Sequence, residues 1–167
     1  MNLYIIRHAI AVEPGTPGYE DDSQRPLTDD GRKKMKKIAK GIHQLDVELN
    51  AILTSPFLRA RDTAKILAKE YGVKDRIAFS DNLIPPGDFE KLIKEIQEHY
   101  NVSNLALVGH EPMLSQLISW LTTGNTDAKI TLKKGGAAYL LAENLYQDHR
   151  VRLEWLLTPA LMIELSK

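Results

Sequence analysis

Leu105-Ala-Leu-Val-Gly-His110-Glu-Pro112 is the stretch on which the fold turns. Leu105 to Val108 is apolar at every position, as a strand must be when both of its faces are covered. Gly109-His110 breaks the run, and after Pro112 the apolar residues Leu114, Leu117, Ile118 and Leu121 recur at helical spacing. A buried strand leading directly into an amphipathic helix is an α/β signature, and it recurs on either side of this segment.

Toward the amino end, Leu3 to Ile6 reads as a strand of the same kind, followed by a long polar loop containing Pro14, Gly15, Pro17 and Gly18. Thr28 can cap a helix with Asp29 and Asp30 in its first turn, and Met35, Ile38, Ala39, Ile42 and Leu45 form one face of it. Ala51 to Thr54 reads as a strand, and Ala60, Ala64, Leu67 and Ala68 belong to a helix that Gly72 ends. A strand near Ile77 to Phe79 precedes a turn at Pro85, Pro86 and Gly87, after which Asp88 caps a helix burying Phe89, Leu92, Ile93 and Ile96. Toward the carboxyl end, Ala137 to Leu141 and Val151 to Leu156 read as two further strands. The expectation is one domain over residues 1–167: an α/β/α sandwich around a mostly parallel, doubly wound sheet, with an antiparallel edge from the later strands.

Composition narrows the function. The 167 residues include 22 Lys and Arg against 22 Asp and Glu, so no net field drives the chain onto nucleic acid or an anionic membrane. With no cysteine there is no disulfide, thiolate nucleophile or cysteine metal site, and the cytoplasm is the expected compartment. The apolar run at the amino end stops at Arg7, too short for a signal peptide or a membrane span. No interleaved aromatics accompany Lys33, Lys34, Lys36, Lys37 and Lys40, which read as a solvated helix face. His43, His99 and His149 read as ordinary solvent-side histidines, Trp120 and Trp155 as packing residues, and Lys133-Lys-Gly-Gly136 as a turn.

Ligands of open α/β sheets bind outside the carboxyl ends of the strands, and three strands end in chemistry: Arg7-His8, Ser55-Pro-Phe-Leu-Arg59-Ala-Arg61, and Gly109-His110. Taken singly, Arg7-His8 reads equally well as a surface dipeptide, Arg59 reads better as a helix-surface charge, and His110 reads also as a cap; together they place two imidazoles and a guanidinium or more on one edge. Two histidines without a third ligand make a poor zinc site, and no Gly-x-Ser-x-Gly elbow is present. Phosphate fits: arginine forks bind its oxygens bidentately, and an imidazole can attack phosphorus or donate to an oxygen. Guanidinium charge close by should keep His8 neutral and nucleophilic.

These segments resemble the histidine phosphatase superfamily, and within it the small SixA-type phosphohistidine phosphatases. Leu3-Tyr-Ile-Ile-Arg-His8 is similar to the family's opening strand and nucleophile, Arg25-Pro-Leu-Thr28 with Gly31 to its helix entry, and Ser55-Pro-Phe-Leu-Arg-Ala60 with Thr63 to its second-arginine motif. Pro86-Gly87-Asp88 resembles a Gly-Asp turn of the SixA type, and Gly109-His-Glu-Pro112 the second-histidine motif. The resemblance implies a phosphoglycerate mutase-like fold without a large lid insertion, and a metal- and cofactor-independent phosphatase. In it His8 takes the phosphoryl group, Arg7, Arg59 and His110 hold its oxygens with Arg25 as a further candidate, and water releases phosphate. Ala9 departs from the family, many of whose members carry glycine there. Glu111 and Asp88 are the candidate acids, and an imidazole leaving group lessens the need for one. The expected substrate is a phosphohistidine-bearing protein; a general phosphomonoesterase and a silent phosphate-binding module stay open.

Overall fold

The computed structural model describes residues 1–143 and 151–167; His149 lies outside the described residues. Strands β1 (Asn2–Arg7), β2 (Ala51–Thr54), β3 (Ile77–Phe79), β4 (Asn104–Gly109), β5 (Ala137–Ala142) and β6 (Val151–Leu157) form one sheet in the order β3-β2-β4-β1-β5-β6. The first four in that order run parallel. β5 pairs antiparallel with β1, and β6 antiparallel with β5, giving the expected antiparallel edge.

Helices α1 (Asp29–His43), α2 (Leu58–Glu70), α3 (Phe89–His99), α4 (Met113–Thr123) and α5 (Pro159–Leu165) cover both faces. Leu3, Ile5, Leu53, Leu105 and Leu107 meet α3 and α4 on one face; their strand neighbours Tyr4, Ile6, Ile52, Ala106 and Val108 meet α1, α2 and α5 on the other. This is the period-two alternation of a pleated strand with both sides buried. The expected caps are in place: Thr28 Oγ1 accepts from the Gly31 amide at 3.0 Å and an Asp88 Oδ1 from the Lys91 amide at 3.0 Å. Trp155 packs against Tyr4 and Tyr139, and Trp120 against Phe89. α5 was not expected from the sequence. It starts at Thr158-Pro159, a capping hydroxyl followed by a proline at the first helical position, and lies across α1 at Gly41.

The winding places the site. β4 sends its helix to one face of the sheet, whereas its neighbours β1 and β2 send theirs to the other. The chain thus parts on both sides of β4, opening a crevice where His8, Ser55 and His110 leave their strands. Because β5 runs backward, the segment leading into it, Leu132 to Gly136, returns to the same edge beside β1.

Candidate active site

His8 is held at the floor of the crevice by its backbone. Its amide donates to the Gly109 carbonyl at 3.0 Å, and its carbonyl accepts from the Gly135 amide at 3.0 Å, which extends the ladder one step beyond β1. Ala9 is fixed in turn, its amide donating to Thr63 Oγ1 at 3.1 Å, and Gly31 presses against the next residue so closely that a Cβ there would stand 2.0 Å from the Ile10 carbonyl oxygen. The imidazole Nδ1 lies 2.7 Å from the Ala9 carbonyl oxygen. A carbonyl can only accept, so Nδ1 carries the proton and Nε2 keeps its lone pair. Burial above all, and then the neighbouring His110, Arg59 and Arg7, pushes the His8 pKa down to about 3, against the opposing pull of the Ala9 hydrogen bond. The sequence argument for a neutral His8 rested on guanidinium charge; desolvation is the larger cause.

The second imidazole faces the first, with ring centroids of His8 and His110 5.2 Å apart. His110 Nε2 lies 2.9 Å from Ser55 Oγ, and Phe57 meets its ring edge-on at 5.2 Å. Burial, then Arg59, brings its pKa to about 3 as well, with Asp22 acting in the other direction. Arg59 lies over the Phe57 ring at 5.1 Å and is almost wholly buried at 5% exposure. Arg7 donates from Nη1 to the Leu132 carbonyl at 2.9 Å. Arg7 Nε, Arg59 Nε and His110 Nδ1 are each buried without a protein partner among the described residues. The two arginine Nε groups are donors, and His110 Nδ1 is one in the tautomer in which Ser55 Oγ, itself accepting from the Phe57 amide, donates to Nε2; buried donors left this way are costly unless something accepts from them. A tetrahedral oxyanion has the lone pairs to do so.

The other expected site residues are placed differently. Arg25 is buried beside this cluster, but its Nε and Nη2 each reach Asp22 Oδ1 at 2.8 Å and its Nη1 donates to the Val12 carbonyl. Glu111 Oε1 accepts from the Ser115 amide at 2.9 Å, and its charge acts on Arg7. Asp88 is engaged with the start of α3, through the Lys91 amide and, at 3.0 Å, Lys91 Nζ. Sequence reasoning missed the parts played by Ser55, Phe57, Asp22 and the Leu132 carbonyl. Ser55 and Phe57 lie inside the quoted Ser-Pro-Phe-Leu-Arg motif and could have been found there. Beside the cluster, sharing Arg7 and Ala9 with it, is a cavity of ≈ 560 Å³ with apolar walls from Ile10, Ile38 and Pro159 and a rim of Lys34 and Lys133.

Comparison with known proteins agrees with this geometry. The sequence pattern described as Histidine phosphatase superfamily (branch 1) matches residues 3–84, the part of the chain that carries Arg7, His8, Arg25 and Arg59. An uncharacterized protein of Picosynechococcus sp. is 37% identical over 139 residues, 81% of this chain and 82% of that one. The chain belongs to the histidine phosphatase superfamily. This phosphatase is 28% identical over 133 residues to phosphohistidine phosphatase SixA of Escherichia coli (strain K12), covering 78% of this chain and 80% of that one. The solved structure of the protein histidine phosphatase SixA complexed with tungstate superposes on the phosphatase with a TM-score of 0.79 at 25% identity, over 96% of this chain and 98% of that one. Among the described residues of the phosphatase, no helix is long and apolar enough to cross a membrane.

Proposed function

We propose that this phosphatase removes the phosphoryl group from a phosphohistidine-bearing protein by way of phospho-His8, acting in the cytoplasm as a single domain and without a metal. The observation that carries the reading is that Arg7, Arg59 and His110, each with a buried nitrogen that has no partner among the described residues, stand close enough to His8 to act on its charge, around an imidazole whose Nε2 keeps its lone pair. The Nε2 lone pair of His8 bonds to phosphorus as the phosphorus–nitrogen bond of the substrate breaks. The leaving imidazole, already protonated on its distal nitrogen, departs neutral and asks little of Glu111 or Asp88. Arg7, Arg59 and His110 take the charge of the equatorial oxygens in both steps. Water then attacks phosphorus, the bond to Nε2 breaks, and the surplus proton passes to solvent.

Similarity to the phosphohistidine phosphatase SixA supports this choice of substrate. So does the neighbouring cavity, whose apolar walls and lysine rim suit an acidic protein surface better than a compact metabolite. The test is brief exposure to a protein labelled on histidine, then a search for acid-labile, base-stable phosphate on His8. His8→Ala should lower turnover at least ~10³-fold while keeping tungstate affinity; undiminished activity would remove the nucleophile. Hydrolysis of p-nitrophenyl phosphate alone would make the protein a monoesterase, and turnover of neither substrate a binding module.

A further inference from the structure

Asp22 lies in the segment between β1 and α1 with 54% of its side chain exposed, yet it engages two of the most buried cations in the molecule. Its main-chain carbonyl accepts from Arg59 Nη1 at 2.7 Å and its Oδ2 from Arg59 Nη2 at 2.9 Å. Its Oδ1 takes Nε and Nη2 of Arg25, each at 2.8 Å. A guanidinium is a planar fork that offers donors along a terminal edge, formed by both Nη groups, and along a side edge that includes Nε. Asp22 takes the terminal edge of Arg59. The Nε of Arg59, buried and without a protein partner among the described residues, lies on the side edge. Phe57, packed against the guanidinium at 5.1 Å, fixes its plane, and Asp22 fixes its rotation within that plane.

We propose that Asp22 is a positioning residue, which grips Arg59 by its terminal edge so that the Nε edge meets the phosphoryl group, and that Arg25 acts through Asp22 and not on the substrate. This rests on the reading of the cluster as a phosphoryl site. A long side chain oriented in advance loses less freedom when the anion arrives, and its donors need no reorganisation at the moment of transfer. The carboxylate suits the task because one oxygen is left for each arginine. With its pKa held low by Arg25 and Arg59, against burial, it stays charged and cannot itself serve as the acid.

The test is a double-mutant cycle read in two ways: tungstate affinity by calorimetry, and kcat/KM on p-nitrophenyl phosphate. Asp22→Ala should weaken tungstate about tenfold and lower kcat/KM ~10–100-fold. Asp22→Asn, which keeps one oxygen acceptor but turns an NH2 group toward the other arginine, should recover only part of either loss. Arg25→Ala should reproduce the Asp22→Ala loss, and the pair should be no worse than either alone. In an Arg59→Ala background, Asp22→Ala should cost less than about twofold. An equal loss with and without Arg59 would reduce Asp22 to a loop support and overturn the proposal. Tighter tungstate binding by Asp22→Ala would overturn it too, by making the carboxylate a competitor of phosphate. Far-ultraviolet dichroism checks that each variant is folded. A wild-type protein that hydrolyses only p-nitrophenyl phosphate would remove the phosphohistidine reading and leave this cycle standing.

Discussion

His8 and His110 are bases that the fold holds in their neutral form, and this has a signed consequence. Both pKa values fall from the ordinary 6.5 to about 3. Between those limits the unfolded chain binds protons that the folded chain refuses, so stability is full above pH ~6.5 and declines as pH falls toward 3. Imidazole resonances of the ligand-free protein followed from pH 8 to pH 5 should show neither ring titrating, with His8 protonated on Nδ1; a midpoint near 6.5 for either would contradict its burial. At this scale the sequence spoke unevenly. Arg7, His8 and His110 were legible as candidates because reactive side chains at strand ends stand out against apolar runs, and Arg59 because it closes the Ser-Pro-Phe-Leu-Arg segment that follows β2 into α2. The Leu132 and Ala9 carbonyls were not, because every residue carries one. Asp22 is one of three consecutive acids, Glu20-Asp21-Asp22, in a polar loop where no periodicity marks which of them turns inward.

Elements were legible where they were long or capped. Strands β1, β2 and β4 are runs buried on both faces, and the Thr28 and Asp88 caps made their helix starts explicit. The seven residues of α5 are too few for a hydrophobic period to emerge, so only its Thr-Pro start could have given it away. Its seat on α1 depends on Gly41, where a Cβ would stand 1.8 Å from the Met162 carbonyl oxygen. On an open helix, Gly→Ala would stabilise by up to about 1 kcal/mol. Here the collision is with backbone, and overpacking of that kind costs roughly 1–3 kcal/mol. Gly41→Ala should therefore lower the melting temperature by several degrees and expose the carboxyl-terminal segment to limited proteolysis; a more stable variant would show that α5 gives way freely.

Across the whole molecule, a balanced total charge conceals an uneven distribution. Lys34 and Lys134 are offset by Asp30 and Glu13, whereas Lys133 stands exposed on the cavity rim with no ion pair among the described residues. Reversing it, Lys133→Glu, should raise KM for a phosphohistidine protein about 3–10-fold, most strongly at low salt, and leave kcat/KM for p-nitrophenyl phosphate within about twofold. Equal effects on both substrates would place the lysine in the phosphoryl site itself. The strand that leads into His8 sits mid-sheet between β4 and β5, both of which lie far downstream. On the ribosome the nucleophile is therefore made early and seated late. A nascent chain halted before Ala142 has emerged should bind no tungstate, however much of its helical structure has already formed.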